Sequence, residues 1–152
     1  MPQSKTRNST KLANSKAIRS LTCGQVMSSP NVLGRDASVA DALDRMTRMN
    51  LDHLFIVDTE RVPMGRIHAV DVLKVIAKKT VNRDIAWMHV IPARQLITQK
   101  SFTMKESTPL LKAAALMLMH DLNQLAVTDN EGAIVGTVSP STVARHLPRF
   151  IL

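Results

Sequence analysis

The sequence predicts an α/β protein: two β-α-β-β-α repeats packed sheet to sheet with pseudo-twofold symmetry. Three observations lead there. The chain carries itself twice: Asp58 and Gly65 recur 71 positions later as Asp129 and Gly136. The same ungapped shift places Ala42 on Ala113, Met46 on Met117, Leu51 on Leu122, Leu54 on Leu125, Glu60 on Glu131 and Val72 on Val143. The apolar pattern follows that shift, with Val39 meeting Leu110, Ile56 meeting Val127 and Ile67 meeting Val138. Self-similarity at a fixed period marks a repeat architecture. Finally, each copy reads as a few short strands and two helices. That is too little core for one copy to be stable alone, so pairing two sheets buries their open faces and leaves a groove between the copies as a natural ligand site.

The elements follow in order. Val32 and Leu33 form a short strand. Asp36 and Ser38 open a helix, with Asp41 three residues after Ser38 as a capping box requires. Ala42, Met46 and Met49 recur at helical spacing and define its inner face. In the second copy the helix starts at Ser107, Thr108 and Pro109, with proline in the first turn, and Ala113, Met117 and His120 repeat the face. Residues 54–57 and 125–128 are apolar runs suited to buried strands. Asp58 and Asp129 open turns, the second through Asn130, Glu131 and Gly132. Strands at 64–69 and 134–139 and helices at 71–79 and 141–147 close the copies. The methionine stripe reads as core, and Gly65 and Gly136 as backbone geometry.

Composition bounds the class. The chain has 152 residues and is 45% hydrophobic, enough for a sizeable core. Its aromatics are only Phe55, Phe102, Phe150 and Trp87, so the core is aliphatic, with nine adaptable methionines. Cys23 is the sole cysteine, which excludes an internal disulfide and a thiolate metal cluster and suits a reducing cytoplasm. The start of the chain has no apolar signal region. The greasiest stretch, 110–119, contains Lys112 and is too short to span a bilayer. Net charge is +8, and Lys5, Arg7, Lys11, Lys16 and Arg19 stand unopposed by acids in residues 1–20. That segment reads as a flexible basic tail. Its alternative is an arm touching nucleic acid or an acidic surface, although no aromatic interleaves the charges to stack on bases.

Each copy resembles a cystathionine-β-synthase (CBS) domain, and the pair resembles a Bateman module. The resemblance rests on Gln25, Val26 and Met27 before the first strand and on the run from Ser38 to Leu43 opening the helix. It continues with the Leu54-Phe55-Ile56-Val57-Asp58 run, and with Gly65-Arg66-Ile67-His68-Ala69-Val70-Asp71, similar to the family's Gly-Ile-Ile-Thr-x-x-Asp. In the second copy Leu125-Ala126-Val127-Thr128-Asp129 and Gly136-Thr137-Val138-Ser139-Pro140-Ser141-Thr142 hold those places. The resemblance covers about residues 21–147. It implies a module that performs no chemistry. Such a module binds an adenosine-containing ligand (AMP, ADP, ATP or S-adenosylmethionine) between the copies and controls a partner protein. It also implies a homodimer.

The family's site carries over in part. Its Thr or Ser meets phosphate and its Asp accepts from ribose hydroxyls. Asp71 holds the ribose position in the first copy, while His68 replaces the Thr, with Arg66 nearby. Ser139 keeps the hydroxyl in the second copy, while Thr142 replaces the Asp, with Arg145 following on the closing helix. His53 and Gln124 precede the apolar strands, where the family places phosphate contacts. If one site binds, it is the one containing Asp71. The plainer readings are a helix cap for Asp71, a structural histidine for His68, a helix N-cap for Ser139 and turn formation for Asp58 and Asp129.

No catalytic constellation is present. His53, His68, His89, His120 and His146 fall in no zinc-protease or zinc-finger spacing, and the chain has no phosphate-binding glycine loop or nucleophile elbow. No cofactor is required. The expected organisation is a basic flexible tail at 1–20, a first repeat at 21–80, a linker at 81–92 and a second repeat at 93–148. Two alternatives stand behind the sensor reading. One is a dimerising scaffold with degenerate sites, and the other is a binder of nucleic acid or acidic surfaces through the tail.

Overall fold

The computed structural model describes residues 16–79, 86–97 and 100–148. In chain order the elements are α1 (Cys23–Val26), β1 (Val32–Gly34), α2 (Val39–Met49), β2 (His53–Val57), β3 (Pro63–His68) and α3 (Ala69–Lys79). Then come α4 (Trp87–Val90), a 3-10 turn (Ala93–Leu96), β4 (Thr103–Lys105), α5 (Leu110–Met119), β5 (Leu125–Thr128), β6 (Ile134–Val138) and α6 (Pro140–His146). The 71-residue shift read from the sequence is a structural period: β1 to β4, α2 to α5 and α3 to α6 each begin 71 positions apart.

Each copy builds a three-stranded sheet, in the orders β1-β2-β3 and β4-β5-β6. β1 runs parallel to β2, and β2 runs antiparallel to β3 with His53 opposite His68 and Phe55 opposite Arg66. β4 runs parallel to β5. The parallel pairs are joined by α2 and α5, as a parallel crossover requires. Every residue of β2 and β5 is buried, which explains why these central strands read as unbroken apolar runs. The capping box at Ser38 forms as expected: Asp41 N–H donates to Ser38 Oγ at 3.1 Å, and Ser38 N–H donates to Asp41 Oδ2 at 2.9 Å. Asn50, at φ 52°, ends the helix in the left-handed region. Asp58 makes its turn by accepting the N–H groups of Glu60 and Val62 at 2.8 and 2.9 Å.

Two compact units result, and each includes the short helix that precedes the other copy. In the first-repeat unit, Leu33, Val39, Ala42, Met46, Leu54, Ile56, Ile67 and Val72 pack with Ala93 and Leu96, and Trp87, Met88 and Ile91 lie against them. Ile91 accepts from Val39 N–H at 2.9 Å, and Ala37 accepts from Ala93 N–H at 2.8 Å. In the second-repeat unit Cys23 and Val26 of α1 pack with Leu110, Ala113, Met117, Leu125, Val127, Val138 and Val143. Cys23 N–H donates to Thr108 and Gly24 N–H to Glu106, both at 2.9 Å.

Several expectations change. The described part of the expected linker, 86–92, is folded into the first-repeat unit, because its apolar side chains complete that core. Residues 16–20 of the basic segment are helical, and its first fifteen lie outside the described residues. The methionine stripe is only partly core: Met46 and Met117 are buried, but Met49 is 55% exposed and His120 also faces solvent. The inner face ends one turn earlier than the spacing suggests, where each helix stops. Pro109 sits at the N-cap rather than inside the first turn, with ψ at 135°. Gly136 is required by close approach: a Cβ there would lie 2.8 Å from Met27 Cβ and closer still to the rest of that side chain.

Candidate ligand site

The sequence singled out the point where the third strand of each copy passes into its closing helix. In the first repeat this is the end of β3 and the first turn of α3, beside the start of β2. Residues directly opposite in an antiparallel pair share a face, as do residues two apart on one strand. The register therefore puts His53, Phe55, Arg66 and His68 on one face of the sheet. His53 is 6% exposed and presents its ring edge-on to Phe55, with centroids 5.7 Å apart.

Asp52 ties the two histidines together. Its Oδ1 accepts from His53 Nδ1 at 2.8 Å, and its Oδ2 lies 3.9 Å from His68 Nε2. The hydrogen bond from His53 holds the Asp52 carboxyl below its ordinary range, against the opposing effect of partial burial. His68 Nδ1 in turn accepts Val70 N–H at 3.2 Å, so the imidazole caps α3. Asp71 occupies the third position of that helix and accepts His68 N–H through one carboxylate oxygen at 3.4 Å. The capping reading and the ligand reading of Asp71 are thus compatible, since a carboxylate has acceptor sites on both oxygens.

Arg66 is half-buried. Burial pushes its guanidinium below the ordinary arginine value, while the charges of Asp52 and Asp71 push the other way. Its Nη1, like His53 Nε2, is buried and has no hydrogen-bond partner among the described residues. Because His53 Nδ1 donates to Asp52, Nε2 of the neutral ring is an acceptor. The first-repeat cluster therefore contains one buried donor and one buried acceptor still to be used.

The second repeat places Asn123, Gln124, Thr137, Ser139 and Thr142 at the positions of Asp52, His53, Arg66, His68 and Asp71. None carries a charge. Thr137 Oγ1 faces Gln124 Oε1 at 2.8 Å and the Leu125 carbonyl at 3.1 Å, two acceptors for its one hydroxyl hydrogen. Ser139 and Thr142 form a reciprocal capping box at the start of α6, and Ser139 Oγ also lies 2.9 Å from Ser141 Oγ. Arg145 is drawn to Ser141, its Nη2 donating at 3.3 Å. The N-cap reading of Ser139 is correct, and these hydroxyls are engaged with one another. Between α5 and α6 of this unit lies an apolar cavity of about 300 Å³ lined by Met117, Leu118, Pro140, Val143 and Leu147.

The structure thus brings His53, Arg66, His68 and Asp71 together in one unit, and Gln124, Ser139, Thr142 and Arg145 in the other. Sequence reasoning missed Asp52 and Thr137. The 71-residue shift contained the signal, because it aligns Asp52 with Asn123 and Arg66 with Thr137. Among the described residues no group of three or more His, Cys, Asp or Glu side chains could hold a metal, and no helix is long and apolar enough to cross a membrane.

A duplicated β-α-β-β-α unit with a polar cluster at each strand-to-helix passage defines a tandem-repeat module. The chain belongs to the CBS domain family, whose sequence model matches residues 23–78 and 93–149. A homoserine O-acetyltransferase of Methanohalobium evestigatum is 25% identical over 74% of this chain, and the match spans 21% of that enzyme. An uncharacterised 17.7 kDa protein of Acidianus ambivalens is 27% identical over 76% of this chain and 66% of its own length. The fold is that of solved CBS pairs. CBSX2, solved in complex with AMP, aligns with a TM-score of 0.71 at 23% identity, covering 86% of this chain and 98% of that one. The CBS domain pair of MJ0100, solved with 5′-methylthioadenosine and S-adenosyl-L-methionine, gives 0.69 at 21% identity over 85% and 97%. A CBS domain protein of Pyrobaculum aerophilum complexed with AMP gives 0.69 at 16% identity over 85% and 99%.

Proposed function

We propose that this chain is a non-enzymatic regulatory module of the cytoplasm that binds an adenosine-containing nucleotide and signals its bound state to a partner protein. The observation that carries this reading is the first-repeat cluster. Asp71 is held at the start of α3 by the His68 backbone, its charge acting on Arg66, and Arg66 Nη1 and His53 Nε2 are buried without a hydrogen-bond partner among the described residues. Buried polar groups are ordinarily paired, and those that are not call for an explanation. Relatives of this fold solved with AMP, 5′-methylthioadenosine and S-adenosyl-L-methionine support the ligand class.

The test is thermal unfolding against AMP, ADP, ATP, S-adenosylmethionine and a guanine nucleotide. A ligand at a hundred times its dissociation constant adds about 2.7 kcal/mol, a rise of several degrees for a domain of this size. An adenosine compound raises the midpoint, and Asp71→Ala removes the rise. If no compound moves the midpoint, the sensor reading is wrong. The scaffold reading then takes its place, favoured by the second repeat, whose neutral hydroxyls are paired with each other.

The module acts as a homodimer. Leu111 and Leu118, two turns apart on one face of α5, are 39% and 83% exposed, and an exposed apolar stripe supports a protein contact there. Light scattering gives twice the chain mass, and Leu118→Glu lowers it to one. A wild-type monomer at tens of micromolar contradicts the dimer.

A further inference from the structure

We propose that Arg66 makes the first repeat selective for a phosphorylated adenosine ligand over an uncharged or cationic one. The second repeat lacks this selectivity because Thr137 stands in its place. The inference rests on the nucleotide reading and names the ligand class of that site. Arg66 and His53 lie on the same sheet face, one diagonal step apart in the β2–β3 register, a separation that long side chains bridge. Both side chains present a buried polar atom without a partner among the described residues: Nη1 of Arg66, a donor with a positive charge, and Nε2 of His53, an acceptor.

The nearby carboxylates do not satisfy that donor. Asp52 is hydrogen-bonded to His53, and Asp71 reaches the His68 backbone. Their charges offset the cost of burying the guanidinium without giving Nη1 an acceptor. A ligand that completes this cluster carries an anionic oxygen for Arg66 and a hydroxyl or amino hydrogen for His53. A phosphorylated nucleoside has both. Adenosine and methylthioadenosine have only the hydrogen donors, and S-adenosylmethionine places a sulfonium cation at the 5′ position, where a nucleotide has its phosphate, with its carboxylate several bonds further out. In the second repeat the corresponding atoms, Thr137 Oγ1 and Gln124 Oε1, satisfy each other at 2.8 Å. No charged side chain takes the place of Arg66 there, and Arg145 is drawn to Ser141 on α6.

The experiment is isothermal titration calorimetry of the intact chain with AMP, adenosine and S-adenosylmethionine near neutral pH. It compares the wild type with Arg66→Thr, which copies the second repeat, and with Arg66→Gln, which keeps a longer stem should the shorter residue unfold the chain. In the wild type AMP binds about tenfold or more tightly than adenosine, the increment of a hydrogen bond to a charged group, and S-adenosylmethionine binds more weakly than AMP. In both variants the AMP-to-adenosine ratio falls by at least about threefold, because neither threonine nor glutamine offers a charged donor. A ratio unchanged in cooperatively folded variants overturns the role of Arg66 and leaves the nucleotide reading intact. Absence of binding by all three compounds to the wild type overturns both.

Discussion

His68 and Ser139 stand 71 positions apart and close the same helix start with different atoms. The His68 ring accepts Val70 N–H through Nδ1 at 3.2 Å, and Ser139 accepts Thr142 N–H through Oγ at 3.2 Å. A histidine at a family hydroxyl position is therefore doing the structural work of a serine, and its ring also reaches toward Asp52. His68→Ala should cost about 1 kcal/mol in urea unfolding, the usual penalty for a lost N-cap, and His68→Ser should recover most of it. Equal stability of the alanine variant and the wild type would show that Val70 N–H does not depend on the ring.

Met27 covers Gly136 in the second-repeat unit. Gly136→Ala forces the methionine and its backbone apart, so about 1–3 kcal/mol of stability is lost, as for other overpacked sites. Gly34→Ala is the control, because a Cβ there meets nothing within 4 Å. Thermal midpoints of the two variants measured side by side decide the matter: only Gly136→Ala should drop by several degrees.

Removing Asp52 orphans His53. Asp52→Ala leaves the buried Nδ1–H without its acceptor, at a cost of about 1–3 kcal/mol. Asp52→Asn keeps an acceptor, matches Asn123 of the second repeat, and should lose less. The pH dependence follows from the depressed carboxyl. The unfolded state binds the proton more tightly, so the stabilisation is complete above the unfolded carboxylate value. It is lost as pH falls through the lower folded value. The Asp52 side chain is 76% exposed, so screening keeps this increment small. Melting midpoints across the acid range should fall more steeply for wild type than for Asp52→Asn.

Cys23 is wholly buried in the second core, and burial pushes its thiol up, with a backbone hydrogen bond opposing. The folded chain holds that proton after the unfolded chain has released it. Stability therefore declines as pH rises above the unfolded thiol value, and the full contribution is present below it. Iodoacetamide should label Cys23 only on unfolding, at a rate that rises with urea. Rapid labelling in native buffer would contradict the burial.

The duplication, the strand and helix order and the two motif positions were legible because they rest on local periodicity and on a shift that any residue pair can reveal. The capping box at Ser38 and the N-cap at Ser139 were legible for the same reason, being patterns that lie within four residues. What escaped depends on contacts distant in sequence. Nothing near Gly136 announces Met27. Trp87 and Ile91 look like linker until the core they complete is known. Asp52 lies one residue before a recognised strand, and its importance comes from His68, sixteen positions on, reached only through the register of β2 against β3. The neutral second site was half visible: Thr142 was an evident departure, whereas Thr137 gains its meaning only from Gln124, the half-buried partner it satisfies.

The exchange of leading helices sets an order for folding during synthesis. The first sheet has all its strands once residue 68 has been made, but its core stays open until Ala93 and Leu96 emerge from the ribosome. Residues 23–26, made before either repeat, must wait for Leu110, Val127 and Val138 before Cys23 and Val26 are covered. Contacts that join such distant stretches slow folding and leave apolar surface uncovered meanwhile. A fragment cut after the first repeat would carry an α1 without its core and a core without Ala93 and Leu96, so each repeat needs chain from before the other to complete its core.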